Sequence, residues 1–403
     1  VVNLFYPIIL VAVTQNPLPP QPLRPNLRDQ WMIKPDVAFL NHGSFGALPR
    51  CVFEAQNQWR LRIEAEPVEI IGRQAATLID RAKADIGEAF GMDAGDFGMV
   101  TNATEGANAV LRSFPLESGD EIVTTNHVYH AVRRTMQYVA QQSGAAYREI
   151  NIPLPVSSSD EIRDRVLQGI GPKTKLLVVD HVTSPTALVF PLAQIVSGCR
   201  AKGVQVLADG AHAPGMLPLN VPEIGADYYT GNLHKWVCGP RGSAFLWVSP
   251  QRQQSVHPTV ISHHLNEGFS KEFGWTGTRD LSAWLSVPSA IAFLNELGWQ
   301  QVMDHNHRLA TWAQQMLCNR WGVEPVSPID GSLIGSMATL RLPGSLRASR
   351  DLPALQQRLY DEFKLEQPLI AWAPAMLRVS CHVYNKPEEY ERLAGAILKL
   401  ANC

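Results

Sequence analysis

From about residue 37 onward, short apolar runs alternate with amphipathic stretches, and this alternation restricts the chain more than any other feature. Strands and helices that take turns build βαβ units, whose crossovers require a largely parallel sheet covered by helices on both faces. Glu121–Thr125 (EIVTT) reads as a strand, and 130–142 follows with helical spacing through Val132, Met136 and Val139. Ser158 and Glu161 have capping-box spacing ahead of Ile162, Val166 and Leu167. Residues 176–180 (LLVVD) and 204–208 (VQVLA) are continuous apolar runs that end at or just before an acid, the pattern of buried parallel strands. Residues 227–230 and 244–248 are further strand candidates.

After about residue 290 the texture changes. Helical patterns at 307–321 and 355–363 precede a strand-like run at 376–381 and a last helix at 388–400. The chain is therefore expected to divide into an N-terminal arm (1–30), a large domain (31–290, its first part free to pack on the small domain) and a smaller α+β domain (291–403). The arm is proline-rich over 14–30, and the thirteen mostly apolar residues before it are too few to span a bilayer as a helix. They also lack the positive start of a secretory signal. No later apolar run approaches membrane length, and the formal net charge of −2 gives no basic field for a nucleic acid. Six cysteines are scattered without a CxxC pair or zinc spacing, which reads as reduced thiols in a cytoplasmic protein rather than a disulfide framework or a metal site.

In open α/β sheets, reactive groups gather beyond the carboxyl ends of the strands. Three such loops carry polar residues. In LADGAH (207–212), Asp209 follows a strand too apolar to lie at an edge, and a carboxylate buried there needs a cationic partner or serves as a helix cap. In GNLHKW (231–236), Lys235 stands between His234 and Trp236 ahead of a Gly-Pro turn, surroundings that would depress its basicity and favour a nucleophilic amine. In NATEGAN (102–108), a small-residue turn at Ala103 and Thr104 opens a helix whose free N–H groups suit an anion or form an ordinary cap.

In combination and in this order, NATEG, NHVYHA, DHVTSPT, ADGAH and GNLHKW resemble the class V aminotransferases, pyridoxal 5′-phosphate (PLP) enzymes of fold type I. Within that family the segments FLNHGSFGALP (39–49), DHVTSPTALVFP (180–191) and WTGTRD (275–280) are most similar to isopenicillin N epimerase-like proteins. The resemblance implies a large domain with a mostly parallel seven-stranded sheet and a smaller α+β C-terminal domain. It also implies that Lys235 holds PLP as a Schiff base and moves the substrate α-proton. Asp209 would pair with the pyridinium nitrogen, and His212 and Ser184 would lie near the phenolic oxygen. Ala103, Thr104, Asn232 and His234 would surround the phosphate. Tyr129 matches the residue that stacks on the ring, although Tyr-His-Ala replaces the more usual Tyr-Gly-Ala, so His127 and His130 compete for that place. Thr278 would reach the phosphate of a neighbouring subunit, which implies a homodimer with shared sites. Arg378 would grip the α-carboxylate of an amino-acid substrate, and Asn41 and His42 would line its pocket.

Such enzymes work through an external aldimine and an α-carbanion, after which the reactions diverge. Epimerisation needs a second acid–base group, for which Tyr129, His130 and His42 are candidates. β-Elimination or C–S cleavage needs one base and a leaving group, and the NHGSFG-like opening is shared by C–S lyases. Cysteine desulfurases of the family carry a mobile cysteine ahead of the carboxylate-binding arginine, and between Cys318 and Arg378 this chain has none. Cys381 falls in a strand-like run and reads as core. An epimerase-like isomerase is the first expectation, with a lyase or an aminotransferase as alternatives and a non-catalytic PLP-binding relative as the outlying one.

Overall fold

The computed structural model describes residues 18–402, so residues 1–17, the first part of the expected arm, and Cys403 lie outside the described residues. Seven strands form the main sheet: β1 (Phe97–Val100), β2 (Glu121–Thr125), β3 (Ala146–Ile150), β4 (Thr174–Asp180), β5 (Gln205–Asp209), β6 (Tyr228–Asn232) and β7 (Ala244–Val248). Their order across the sheet is β1-β7-β6-β5-β4-β2-β3, and β7 alone runs against the rest. The mostly parallel seven-stranded sheet is thus present.

Strand alternation splits the core in two. Val123, Leu177, Val179, Val206 and Ala208 point to one face, where they meet Ile79, Ile86 and Phe90 of α1 (Ala75–Phe90). Ile122, Leu176, Val178 and Leu207 point to the other, against Val110 and Leu111 of α2 (Ala103–Ser113) and Val132 and Met136 of α3 (His130–Ser143). Neighbours in sequence serve opposite faces because side chains alternate along a strand, and that is why doubly covered strands read as unbroken apolar runs. Ser158 caps its helix by accepting from the Glu161 N–H, but Glu161 reaches back to Ser157, so the expected box is shifted by one residue.

A separate core joins the long helix Trp299–Trp321, the antiparallel strands Met337–Arg341 and Met376–Ser380, and the final helix Pro387–Ala401. Ala38 and Leu40 belong to this core, and Ala38–Phe39 pairs in parallel with Leu365–Glu366. Residues 38–40 therefore pack with the C-terminal part of the chain, and the loop that follows, 41–49, is delivered to the seam between this core and the main sheet. No helix among the described residues is long and apolar enough to cross a membrane.

Candidate active site

A cavity of about 480 Å³ opens beyond the carboxyl ends of the strands, lined from β1 by residues 101–104, from β2 by Tyr129, from β4 by Asp180 and Ser184, from β5 by Asp209 and His212, and from β6 by residues 232–235. Lys235 sits in the connection that reverses the chain between β6 and β7. Three hydrogen bonds hold that turn: Cys238 N–H to the Lys235 carbonyl (2.9 Å), Gly239 N–H to the Leu233 carbonyl (2.9 Å) and Leu233 N–H to the Ser243 carbonyl (3.0 Å). The Lys235 carbonyl also accepts from His42 Nε2 at 2.9 Å.

The lysine is only 9 % exposed, and Trp236 beside it is buried. Burial, reinforced by the Arg378 charge and opposed by Asp209 and Asp180, brings the ammonium pKa down to about 7. Its Nζ lies 3.2 Å from His212 Nε2, while Trp236 Nε1–H points at His212 Nδ1 (3.5 Å). Occupation of Nδ1 by a donor leaves the ring proton on Nε2, which can donate to the lone pair of Lys235 whenever that amine is unprotonated. Burial pushes His212 well below the ordinary histidine range, in keeping with a neutral ring.

Asp209, 2 % exposed, ends β5 and accepts the Ala211 N–H at 3.0 Å. Burial raises its carboxyl, and the Ala211 N–H and the Lys235 charge act the other way. Asp180 ends β4 directly opposite Asp209 in the parallel register.

At the other end of the cavity lies the first turn of α2. Asn102 caps it by accepting from Glu105 N–H (2.9 Å), and the Ala103 N–H is taken by Asn232 Oδ1 (2.8 Å). Thr104 presents its side chain to the cavity at the positive end of the helix dipole, near His234 and Arg241. His234 donates to the Ser243 carbonyl (3.4 Å), and burial holds it neutral with a pKa of about 4. Arg241 is thus the cation at this end.

Arg378 comes from the strand Met376–Ser380 of the second core and is 3 % exposed. Its guanidinium donates to the carbonyl (2.5 Å) and hydroxyl (3.2 Å) of Ser184 and to the Ser44 hydroxyl (3.2 Å), and its Nε has no partner. Ser44 donates to Asn41 Oδ1 (2.5 Å), and Asn41 donates to Glu366 (3.3 Å). The NHGSFG turn thereby braces the arginine. Its Gly46 is required sterically: φ is +68°, and a Cβ there would fall 1.9 Å from the His234 carbonyl.

The structure brings Lys235, Asp209, His212, Ser184, Tyr129, Ala103, Thr104, Asn232 and His234 around one cavity, with Arg378 directly behind Ser44 and Ser184. Tyr129 is 43 % exposed at the mouth. His130 is exposed and does not line the cavity; Arg134 Nε donates to its ring at 3.4 Å. His127 is locked inside by Thr186 (2.6 Å) and the Ile152 carbonyl (2.7 Å). His42 lies behind the lysine turn, with Nδ1 engaged by the Tyr384 hydroxyl at 2.8 Å. Thr278 is exposed and does not line the cavity of its own chain. Ser44, Phe45, Asp180 and Arg241 line the cavity without having stood out in the sequence. Arg241 follows the Gly-Pro pair noted beside Lys235, and Asp180 is the acid that ends LLVVD; those were the available signals.

Comparison with known proteins agrees with this arrangement. A family model described as aminotransferase class-V matches residues 41–343. A probable chloroplastic L-cysteine desulfhydrase of Arabidopsis thaliana is 34% identical over 394 residues, covering 90% of this chain and 82% of the relative. The isopenicillin N epimerase of Streptomyces clavuligerus is 33% identical over 387 residues, covering 92% and 96%. Among solved structures, a C-DES mutant with glycine linked covalently to its PLP cofactor superposes with a TM-score of 0.80 at 22% identity, over 92% of this chain and 98% of that one. At that identity the likeness is one of fold.

Proposed function

The chain belongs to the class-V aminotransferase family, and from that premise we propose that it is a PLP-dependent enzyme acting on an α-amino acid. One observation carries the reading: a buried lysine of depressed basicity shares a cavity with a buried carboxylate at one end and a helix N-terminus with Arg241 at the other. The donor set fits the cofactor. A pyridine ring, a phenolic oxygen and a phosphate need, in turn, an acid, hydroxyl or imidazole donors and an anion seat, and the cavity offers Asp209, then Ser184 and His212, then Ala103, Thr104, Asn232 and His234 with Arg241.

PLP, when bound, supplies an electron sink for charge developing at the substrate α-carbon. Arg378 would bind the α-carboxylate with its planar fork, giving up Ser44 for it. Lys235 Nζ would take up the α-proton and return it, and the neighbouring His212 would keep that nitrogen oriented. Tyr129 would cover one face of the ring. Thr278, exposed and away from its own cavity, supports a homodimer in which it reaches the partner's phosphate site; Val260 and Ile261, apolar and more than half exposed, lie on the chain leading to it.

For the reaction itself we favour two-base epimerisation or single-base elimination, and Tyr129 decides between them. Of the three residues considered as a second acid–base group, Tyr129 lines the cavity, whereas His130 and His42 do not. Epimerisation would run between Lys235 and Tyr129. Elimination at a C–S bond would need Lys235 alone, and the desulfhydrase relatives support that reading as much as the epimerase relatives support the first. A desulfurase-type thiol nucleophile finds no support, since Cys381 is fully buried.

The test is a screen of amino acids in deuterated buffer with the PLP-loaded protein. The proposal expects α-deuterium incorporation: retained amino acid of both hands marks epimerisation, pyruvate with ammonia and sulfide marks elimination, and pyridoxamine phosphate marks transamination. No exchange with any α-amino acid would contradict it.

A further inference from the structure

The account so far leaves one buried group at the cavity unused. Asp180 is buried, lines the cavity, and its Oδ2 has no hydrogen-bond partner. It stands opposite Asp209 on the neighbouring parallel strand, so the two carboxyls project from the same sheet face on strands about 4.8 Å apart. Its other surroundings are a backbone hydrogen bond from Tyr129, the Arg133 charge, and Lys235 from the β6–β7 connection. Arg133 is spoken for: its Nε donates to Glu149 at 2.8 Å. His181, next on the strand, turns its Nδ1 to the Tyr229 hydroxyl (3.0 Å). Lys235, Arg378 and, at the far end of the cavity, Arg241 are the other cations of the site, and His212 is neutral.

Two carboxylates side by side in a buried site do not both ionise without a counter-charge for each. Asp209 has the Ala211 N–H bonded to it and Lys235 as its nearby charge. Asp180 has an oxygen bonded to nothing. We propose that Asp180 is a proton-holding partner of Asp209: its Oδ2 carries the single proton of the pair, which leaves Asp209 as the one ionised carboxylate facing the bound cofactor. Burial and the Asp209 charge raise the Asp180 carboxyl well above the usual range, in the direction this requires.

The assignment rests on the PLP reading only for its consequence. Asp180 then fixes the charge presented to the cofactor's ring nitrogen at minus one, and it lies against the backbone of Tyr129, the proposed ring-covering residue. Asp180 is a positioning residue for that chemistry and moves no substrate proton itself.

The sign follows from linkage. A carboxyl whose folded pKa is raised binds its proton more tightly in the folded chain, so stability is full below the unfolded value near about 4 and is lost as pH rises towards the folded value. Asp180→Asn keeps the acceptor for Tyr129 and mimics the neutral acid. The folding constant of the variant relative to the parent should therefore climb about tenfold per pH unit through that window and then level off.

The experiment uses the full chain, before and after loading with PLP. Infrared spectra at pH 7 are expected to show a protonated-carboxyl band that shifts in deuterated water, is absent from Asp180→Asn, and titrates away at lower pH in Asp209→Asn, where the like charge is gone. Thermal melts from pH 4 to 8 are expected to show Asp180→Asn gaining on the parent as pH rises. Absence of the band from the parent, its persistence in Asp180→Asn, or a pH-independent gap would each overturn the proposal. If Asp180→Asn does not fold, the same spectra and melts of Asp180→Ser decide it. Because the chain without cofactor is also measured, failure here is distinct from failure to bind PLP.

Discussion

In the proposed role of Schiff-base lysine, Lys235 would attack only as a free amine. With a pKa of about 7 it is roughly nine-tenths neutral at pH 8, where an ordinary lysine is about half a per cent neutral. The rate of PLP uptake should rise through pH 7 and be flat above about pH 8. A rate that keeps climbing tenfold per unit to pH 10 would show an unperturbed lysine. Arg378 calls for a different experiment. Arg378→Ala leaves the lysine turn and the phosphate seat intact, so KM for the amino acid should rise about a hundredfold, the worth of a charge-assisted pair, while PLP affinity holds. Loss of PLP affinity with unchanged KM would place the arginine elsewhere. Tyr129→Phe keeps the aromatic face and removes the acid. Epimerisation should fall at least about a hundredfold and elimination should persist, and an epimerase untouched by the change would need another second base. Lys235 and Asp209 were legible because each follows an apolar strand at a place where a solvated role makes little sense, and Thr104 because a small-residue turn opens a helix there. Asp180 was legible only as the end of a strand, since its significance is a neighbour 29 positions away, supplied by sheet register.

At the scale of elements, helix phase explains what became of His130. Val132, Met136 and Val139 face inward on α3, and a residue two positions before Val132 sits on the opposite side of a 3.6-residue turn. The same spacing that located the helix thus turns His130 outward. The doubly covered strands β4 to β7 were readable as unbroken apolar runs. β3 was not, because Tyr147, Arg148 and Glu149 mark an edge strand that is only half covered. β1 is four residues long and contains Gly98, where a Cβ would meet the Phe273 ring at 2.5 Å, so packing rather than propensity keeps it extended. The NHGSFG turn is the element that links residues 38–40 to both the lysine and the arginine. Gly46→Ala would press a Cβ into the His234 carbonyl at a positive φ and should cost about 2–4 kcal/mol in denaturant unfolding, with weaker PLP binding alongside. Unchanged stability would mean that the turn is not packed against Lys235.

At the scale of the molecule, one site draws on two cores. The main sheet supplies the lysine, the acids and the anion seat, and the second core supplies Arg378, with Ser44 and Asn41 bridging them. If Thr278 completes the phosphate site of a partner, Lys235→Ala and Thr278→Ala lie in trans. Mixing the two inactive variants should then give hybrid dimers with one doubly damaged and one intact site, and activity should return to as much as about a quarter of the parent's by random pairing. No recovery, with hybrids demonstrably formed, would put both residues in one site. The most direct test of the whole account is chemical labelling: load the chain with PLP, reduce with borohydride, digest, and locate the pyridoxyl group by mass spectrometry. The account predicts one label per chain on Lys235, and a label on another lysine, or none, would contradict it.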